Sequence, residues 1–523
     1  MIKNRSKVQS IILYCAFAIW LVANIIMCIN HEPFRDEAQS WLIAKNNSIF
    51  GMIGFMWQEG HPWLYHLLIW PLAQLGFPFE LLKYTSLLIG SAAMWIYIRR
   101  VPFKLPIVIA TMCLPFMNYY TTAFARPYTL VLLFAIMVAA SWKTRKEKPV
   151  FTGISIGLLA CTHLSLWIPV YILTIIFISE QIREKKISVA SIISLVGIIG
   201  VFCGPLVPQM IATLERKGLP AWTFYVGLAA FCAITALIVF LFSRKNTDCK
   251  VKDISKKPKK IKICYTVFTL ITSISVPLIS IAMTLVTPTA SMSERYLLIT
   301  IPVAIMCLWI FNTRNEEIKL ECSLYNIISS QTTTEGQNES KSKTKRIKEK
   351  FVTGLKIAFA IYSVIICALF GFYKIMVKDF TVPYSQSESI AKYIDSSLPK
   401  DAVIVTTHQG LITPVVAQLR EHKIINIRGN VMTYTKWFDE WNDETPKYEW
   451  YPALERISKN ANKEIYVIDS PVSDFVDFNI WLQNLYDNGT AEFVYQTSDN
   501  VVDESEQYRI TKIPTNVFSQ TED

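Results

Sequence analysis

The 523 residues are 52% hydrophobic and only 18% charged, more apolar surface than a soluble core of this size can enclose, so a bilayer must cover the excess. The net charge is +11, yet residues 381–523 hold 12 Lys+Arg against 22 Asp+Glu, so the basic excess belongs to residues 1–380. Those cations sit between apolar runs rather than on a basic face with interleaved aromatics, which sets nucleic acid aside as a partner and assigns them to membrane topology.

The first seven residues, Met1 to Lys7, precede an apolar run without a small-residue cleavage site, which reads as a retained anchor. Runs near the ~20 residues that span a bilayer fall at roughly 9–30, 80–98, 105–120, 127–142, 150–163, 165–181, 188–210, 222–243, 262–287, 295–312 and 352–376. The predicted architecture is therefore an α-helical polytopic membrane protein of about eleven transmembrane helices. With a cytoplasmic N-terminus, the Lys/Arg-rich loops all face inward, from Arg99, Arg100 and Lys104 to Lys341–Lys350 in a cytoplasmic loop at 313–350. The remaining loops hold only scattered cations. A span at Pro62–Phe79 would invert that bias in every later loop. Residues 31–79 are therefore read as one extracytoplasmic loop, with Ala38–Ala44 an interfacial helix presenting Ala38, Trp41, Leu42 and Ala44 to membrane lipids. Ser329–Ser342 is polar and is expected to be disordered.

Residues 1–380 thus form the membrane domain. Residues 381–523 read as a soluble extracytoplasmic α/β domain, with strands at Ala402–Thr406, Lys423–Ile427, Glu464–Asp469 and Phe493–Gln496 and helices at Ser387–Ser396 and Ala453–Ser458. No phosphate loop, metal spacing or nucleophile motif occurs there, so recognition or docking is its expected role. The 11 cysteines lie between Cys15 and Cys367, mostly inside apolar runs, and imply no disulfide framework. A bacterial plasma membrane is the expected location.

Chemistry-bearing residues gather on the outer side. Asp36 and Glu37 open a helix at the mouth of the first span, as an N-cap with an acidic first turn or as a general base whose pKa is raised at a dehydrated surface. His61, in His61-Pro62-Trp63-Leu64-Tyr65, is either a headgroup-level anchor or a hydrogen-bond donor to phosphate. Arg126 precedes Pro127-Tyr128 at an outer helix end, where a guanidinium either snorkels to lipid or grips phosphate oxygens; the same two readings apply to Arg295, beside Glu294. His163 is a structural histidine or a ligand. Together these residues point to chemistry on an anionic, lipid-borne group.

Asp36-Glu37-Ala38, Gly60-His61-Pro62-Trp63-Leu64-Tyr65, Ala125-Arg126-Pro127-Tyr128 and Glu294-Arg295-Tyr296-Leu297-Leu298, in that order over about the first 310 residues, resemble the GT-C superfamily of polytopic glycosyltransferases. The resemblance is to the bacterial branch that includes protein O-mannosyltransferases and the aminoarabinose transferase of lipid A. It implies transfer of a sugar from a polyprenyl-phosphate donor to a hydroxyl of a lipid, glycan or protein on the outer face, where nucleotide sugars are not available. It further implies that Asp36 is the base of an inverting displacement, with Glu37 beside it as a second catalytic carboxylate. Arg126, His61 and Arg295 form the donor-phosphate clamp, with Tyr128 and His163 as further donor-side residues. Tyr128 stands where many relatives carry an acid, and a divalent cation held in part by Glu37 stays open. A transporter or flippase of a lipid-linked sugar is the alternative; such proteins place ionisable groups mid-membrane and repeat their halves, and neither feature occurs here.

Overall fold

In the computed structural model of the chain, the described residues are 5–59, 61–216, 218–243, 298–330, 372–435, 450–472 and 476–519. The expected span at 262–287, Arg295, most of the 352–376 span and residues 331–350 of the 313–350 loop lie outside them. By packing, the chain forms two units. One comprises Met1–Ala23, Leu88–Thr121 and Pro127–Tyr373; the other comprises Asn24–Leu87, Thr122–Arg126 and Lys374–Asp523. In packing, most of the first loop belongs with the C-terminal residues.

Among the described residues, five helices are long and apolar enough to cross a membrane: Lys7–Asn30, Leu81–Arg100, Leu164–Arg183, Val189–Glu215 and Trp222–Val239. Other expected spans are shorter. The 105–120 run is a helix only over Leu105–Met112, and Pro115 then opens a 3-10 turn in place of the next helical turn. Pro149–Ala160 has 12 residues, about 18 Å of helix against the ~30 Å hydrocarbon core. The helix expected over 295–312 runs instead from Thr300 to Ser330, through the first half of the loop expected at 313–350; Ser329 and Ser330 end it, and the rest of the polar stretch lies outside the described residues.

Within the first unit, Pro149–Ala160 packs on Val189–Cys203 through Gly153 and Gly157. A Cβ at Gly153 would come within 2.6 Å of the Ser191 carbonyl oxygen, so only glycine permits this approach. Among the described residues of this unit, buried charges pair with one another. Arg145 pairs with Glu180 (2.6 Å) and Glu317 (2.8 Å), Arg314 pairs with Glu317 (2.5 Å), and the Arg145 guanidinium lies over the Trp142 ring.

The second unit is built on a five-stranded sheet of β1 (Val403–Thr406), β2 (Ile424–Asn426), β3 (Ile465–Asp469), β4 (Glu492–Gln496) and β5 (Arg509–Ile513), in the order β2-β1-β3-β5-β4. β1 is parallel to β2 and β3, and β5 is antiparallel to β3 and β4. Ile390, Ile394, Ile412 and Val415 from the helices Ser387–Ser397 and Gln409–Gln418 pack with Ile404 and Ile468 in one core; Leu454, Ile457, Phe478 and Leu482 from Trp450–Ala461 and Val476–Asp487 pack with Val405 and Val467 in the other. The residues of β1 and β3 alternate between these two cores, as a strand covered on both faces requires. Strand β5 and the helices at 409–418 and 476–487 were not among the elements expected from sequence.

The first loop joins this unit as helices rather than lying on a membrane. Arg35–Asn46 carries Asp36 and Glu37 in its first turn and Lys45 in its last, which complements the helix dipole. The expectation of an interfacial helix with one lipid-facing side is overturned: every residue from Glu37 to Ala44 is buried. Gln39 explains why, since its side chain exchanges hydrogen bonds with the Thr435 backbone at 2.6 and 2.9 Å, and Thr413 packs at the Arg35 carbonyl. The neighbouring helix Leu64–Gln74 is anchored alongside by Gln74 Nε2, which donates to the carbonyls of Ala44 and Lys45, and by Trp70 Nε1, which donates to that of Asn47. At 11 residues this helix is about 16 Å long, too short to cross.

Candidate functional site

The polar cluster of the second unit is assembled from three separated stretches of chain. At its base, His31 lies between two carboxylates, with Nδ1 2.7 Å from Asp379 Oδ2 and Nε2 3.1 Å from Glu37 Oε2, all three side chains being sealed from solvent. Burial works against a charge on His31, but Asp379 and then Glu37 outweigh it, and the imidazole is pushed up to about 10. It is therefore a cation at neutral pH and donates at both nitrogens. The Lys83 ammonium adds a bond to the His31 carbonyl oxygen at 2.7 Å.

Glu37 is occupied by the scaffold. Its Oε2 accepts from the Phe34 backbone N–H (2.9 Å), the reach-back of a carboxylate at the third helical position, and its Oε1 accepts from the Ala125 N–H. These bonds tie the start of the Arg35–Asn46 helix to the turn before Arg126. Tyr65 completes the tie by donating to the Ala125 carbonyl at 2.5 Å.

Asp36 and Arg126 meet on top of this base. Arg126 Nη1 donates to the Asp36 carbonyl oxygen at 2.7 Å and to Ser40 Oγ at 3.0 Å, although 90 and 86 residues separate the partners. The Asp36 side chain retains a third of its exposure and lies 4.0 Å from the Arg35 guanidinium. Three further groups lie within the electrostatic reach of Arg126. Desolvation lifts the Glu59 carboxyl to about 7, against the Gln39 amide that donates to it at 2.6 Å and the field of Arg126. Burial and the Arg126 charge hold the His61 imidazole below its ordinary value, and its Nδ1 is 3.0 Å from the Glu59 carbonyl oxygen. Burial, Arg126 and His61 together push His66 down to about 3, so this ring is neutral.

Of the residues singled out in the sequence, Asp36, Glu37, His61 and Arg126 are thus brought together in one unit. Tyr128 and His163 belong to the other unit. There the rings of Tyr128 and His163 are 6.4 Å apart, and His163 Nδ1 takes bonds from the Ser165 hydroxyl (2.7 Å) and backbone N–H (3.2 Å), capping the turn that follows. The first unit therefore gives His163 a structural partner on its own chain. His31, Glu59, His66 and Asp379 were not singled out. Glu59 and His66 flank the Gly60–Tyr65 motif and His31 lies five residues before Asp36, so proximity in sequence to those motifs is the available signal. Among the described residues no group of three or more His, Cys, Asp or Glu is placed to hold a metal ion, and the bonds already held by Glu37 make it a poor ligand for one.

No family model and no curated protein sequence matches the chain. Among solved structures it is similar to ArnT from Cupriavidus metallidurans bound to undecaprenyl phosphate, at 11% identity over 95% of this chain and 97% of that chain with a TM-score of 0.46. It is also similar to ArnT from the same organism in the apo state, at 12% identity over 96% and 98% of the two chains with a TM-score of 0.43.

Proposed function

We propose that this protein is an integral membrane glycosyltransferase that moves a sugar from a polyprenyl-phosphate donor to an acceptor hydroxyl of a lipid, glycan or protein at the outer face of the membrane. The observation that carries this reading is the convergence of Arg126 on the helical turn bearing Asp36. It sets a guanidinium, suited to phosphate oxygens, beside a partly exposed carboxylate suited to take a proton.

The division of labour follows from the chemistry. Asp36 accepts the proton of the acceptor hydroxyl as its oxygen attacks the anomeric carbon. The bond from that carbon to the phosphate oxygen breaks, and the phosphate leaves with the electron pair. The phosphate needs no protonation to leave, so the chief requirement on that side is cationic stabilisation of the departing charge, which Arg126 supplies; His61, whose one N–H is held by the Glu59 carbonyl oxygen, lines the site beside it. Attack opposite the leaving group gives inversion. Glu37 and His31 hold the backbone around both reacting partners. The soluble part of the second unit serves acceptor recognition.

The test is Asp36→Asn in the purified full-length chain, assayed for sugar transfer from synthetic polyprenyl-phosphate sugars. Loss of a positioned base lowers turnover by about 10²- to 10⁴-fold, with folding and donor binding retained. Transfer at the parent rate by the folded variant removes Asp36 from the mechanism. A parent protein that neither binds nor consumes such donors refutes the transferase.

A further inference from the structure

His66 is the third residue of the Leu64–Gln74 helix and is only 3% exposed, yet neither of its ring nitrogens has a hydrogen-bond partner among the described residues. Two sealed polar atoms without partners cost about 1–3 kcal/mol each, and native proteins seldom keep them without a use. Its neighbours on the chain are fully engaged in the site: Tyr65 holds the Ala125 carbonyl next to Arg126, and the helix packs beside the one bearing Asp36 and Ser40.

We propose that His66 recognises a hydroxyl group of the sugar being transferred, accepting through one ring nitrogen and donating through the other. This rests on the transferase reading and adds a specificity role to it. The choice of ligand follows from what each class offers an imidazole in this place. Burial and the charges of Arg126 and His61 keep the ring neutral, so it presents one donor and one acceptor. A phosphate or carboxylate at neutral pH offers chiefly acceptors, and one nitrogen would then face a lone pair. An ammonium offers only donors and would meet Arg126. A hydroxyl is at once donor and acceptor and carries no charge, so it alone among these satisfies both nitrogens. A site that buries such a pair discriminates strongly against the analogue lacking the hydroxyl, because the nitrogens are then left without partners again.

The test uses the full-length chain in lipid nanodiscs and three probes: the bare polyprenyl phosphate, polyprenyl-phosphate hexoses, and the same donors deoxygenated at one ring position at a time. In the parent, one deoxy donor falls in kcat/KM by about 10- to 100-fold or more. His66→Phe, which keeps a ring of similar size, lowers kcat/KM for the intact donor to that same level and erases the difference between the two donors. Affinity for the bare phosphate is unchanged. His66→Gln, which retains a donor and an acceptor, keeps most of the discrimination. If His66→Phe folds and discriminates as the parent does, the proposal is wrong while the transferase stands. If the parent neither binds the bare phosphate nor transfers any sugar, both fall together. Should His66→Phe fail to fold, ¹⁵N spectra of the histidine-labelled parent decide. Addition of the intact donor must shift the His66 nitrogens, identified by their absence in His66→Gln, and a spectrum that does not respond overturns the assignment.

Discussion

The two units handle buried charge in opposite ways. In the first, Arg145, Arg314, Glu180 and Glu317 form a closed set of two cations and two anions, each within 3 Å of a partner. In the second, ionisable groups are brought together without mutual cancellation: Asp36 keeps exposure, Glu59 is lifted toward neutrality, and His61 and His66 are held neutral beside Arg126. A closed set contributes to holding helices together. An unbalanced one leaves groups poised to answer a ligand, and such imbalance is a mark of functional sites. Beneath the unbalanced set the His31 cation bridges the Glu37 and Asp379 carboxylates, which gives the second unit's reactive groups a fixed base.

The largest losses of stability are expected where a buried cation that holds carboxylates together is removed. His31→Leu leaves two buried carboxylates facing each other and should destabilise the second unit by about 3–5 kcal/mol, seen as a lower unfolding temperature in detergent. The sign of its pH dependence is fixed by the imidazole being raised from 6.5 to about 10 in the folded chain. This contribution is complete below about pH 6.5 and is lost as the pH climbs toward 10, so the parent's melting temperature should fall across that window and the variant's should fall less. Arg145→Met in the first unit should lower stability by a similar ~3–5 kcal/mol while the surviving protein binds donor as the parent does. A change in donor KM there would erase the distinction between the units. Arg126→Ala should be smaller in stability but specific in binding: donor affinity weakens by about 10- to 100-fold, the worth of a charge-assisted contact, with acceptor affinity unchanged. Equal weakening of both, measured by titrating each substrate, would count against a phosphate role. The smallest effect concerns Glu59. Its ionisation near pH 7 places a negative charge beside Asp36 and Arg126, so KM for the donor, a phosphodiester of constant charge, should rise as pH passes through about 7. Glu59→Gln should flatten that rise, and an unaltered profile would exclude Glu59 from the donor's surroundings.

The sequence made the apolar helices and most strands legible because their signals are local: runs of apolar residues, and β-branched clusters such as Val403–Thr406 and Ile465–Asp469. It misled where packing overrides pattern. The Ala38–Ala44 stretch has a helical face of apolar residues, yet its polar face, led by Gln39, is also buried because Thr435 meets it from almost 400 positions away. In the site, Asp36 and Arg126 could be paired through the order of motifs and their expected sidedness. His31 could not, since its meaning depends on Asp379, 348 residues later. Glu59 and His66 are ordinary residues until burial removes water from them. Strand β5 was missed because Arg509-Ile510-Thr511-Lys512-Ile513 alternates charge into what looks like a surface segment, while β3 and β4 use it as the bridge between them.

The second unit draws residues 24–87 and 122–126 together with residues 374–523, so the earliest and latest parts of the chain must meet to complete it. During synthesis, which runs at about 5–20 residues per second, the Arg35–Asn46 helix emerges long before Thr413 and Thr435, which will pack against it, and Asp379, which will pair with His31, have been made. Its buried Glu37, and His31 just before the helix, must therefore wait, hydrated or chaperoned, for tens of seconds. Ribosomes stalled before residue 374 should carry a first loop that is open to proteases and that closes only when translation resumes.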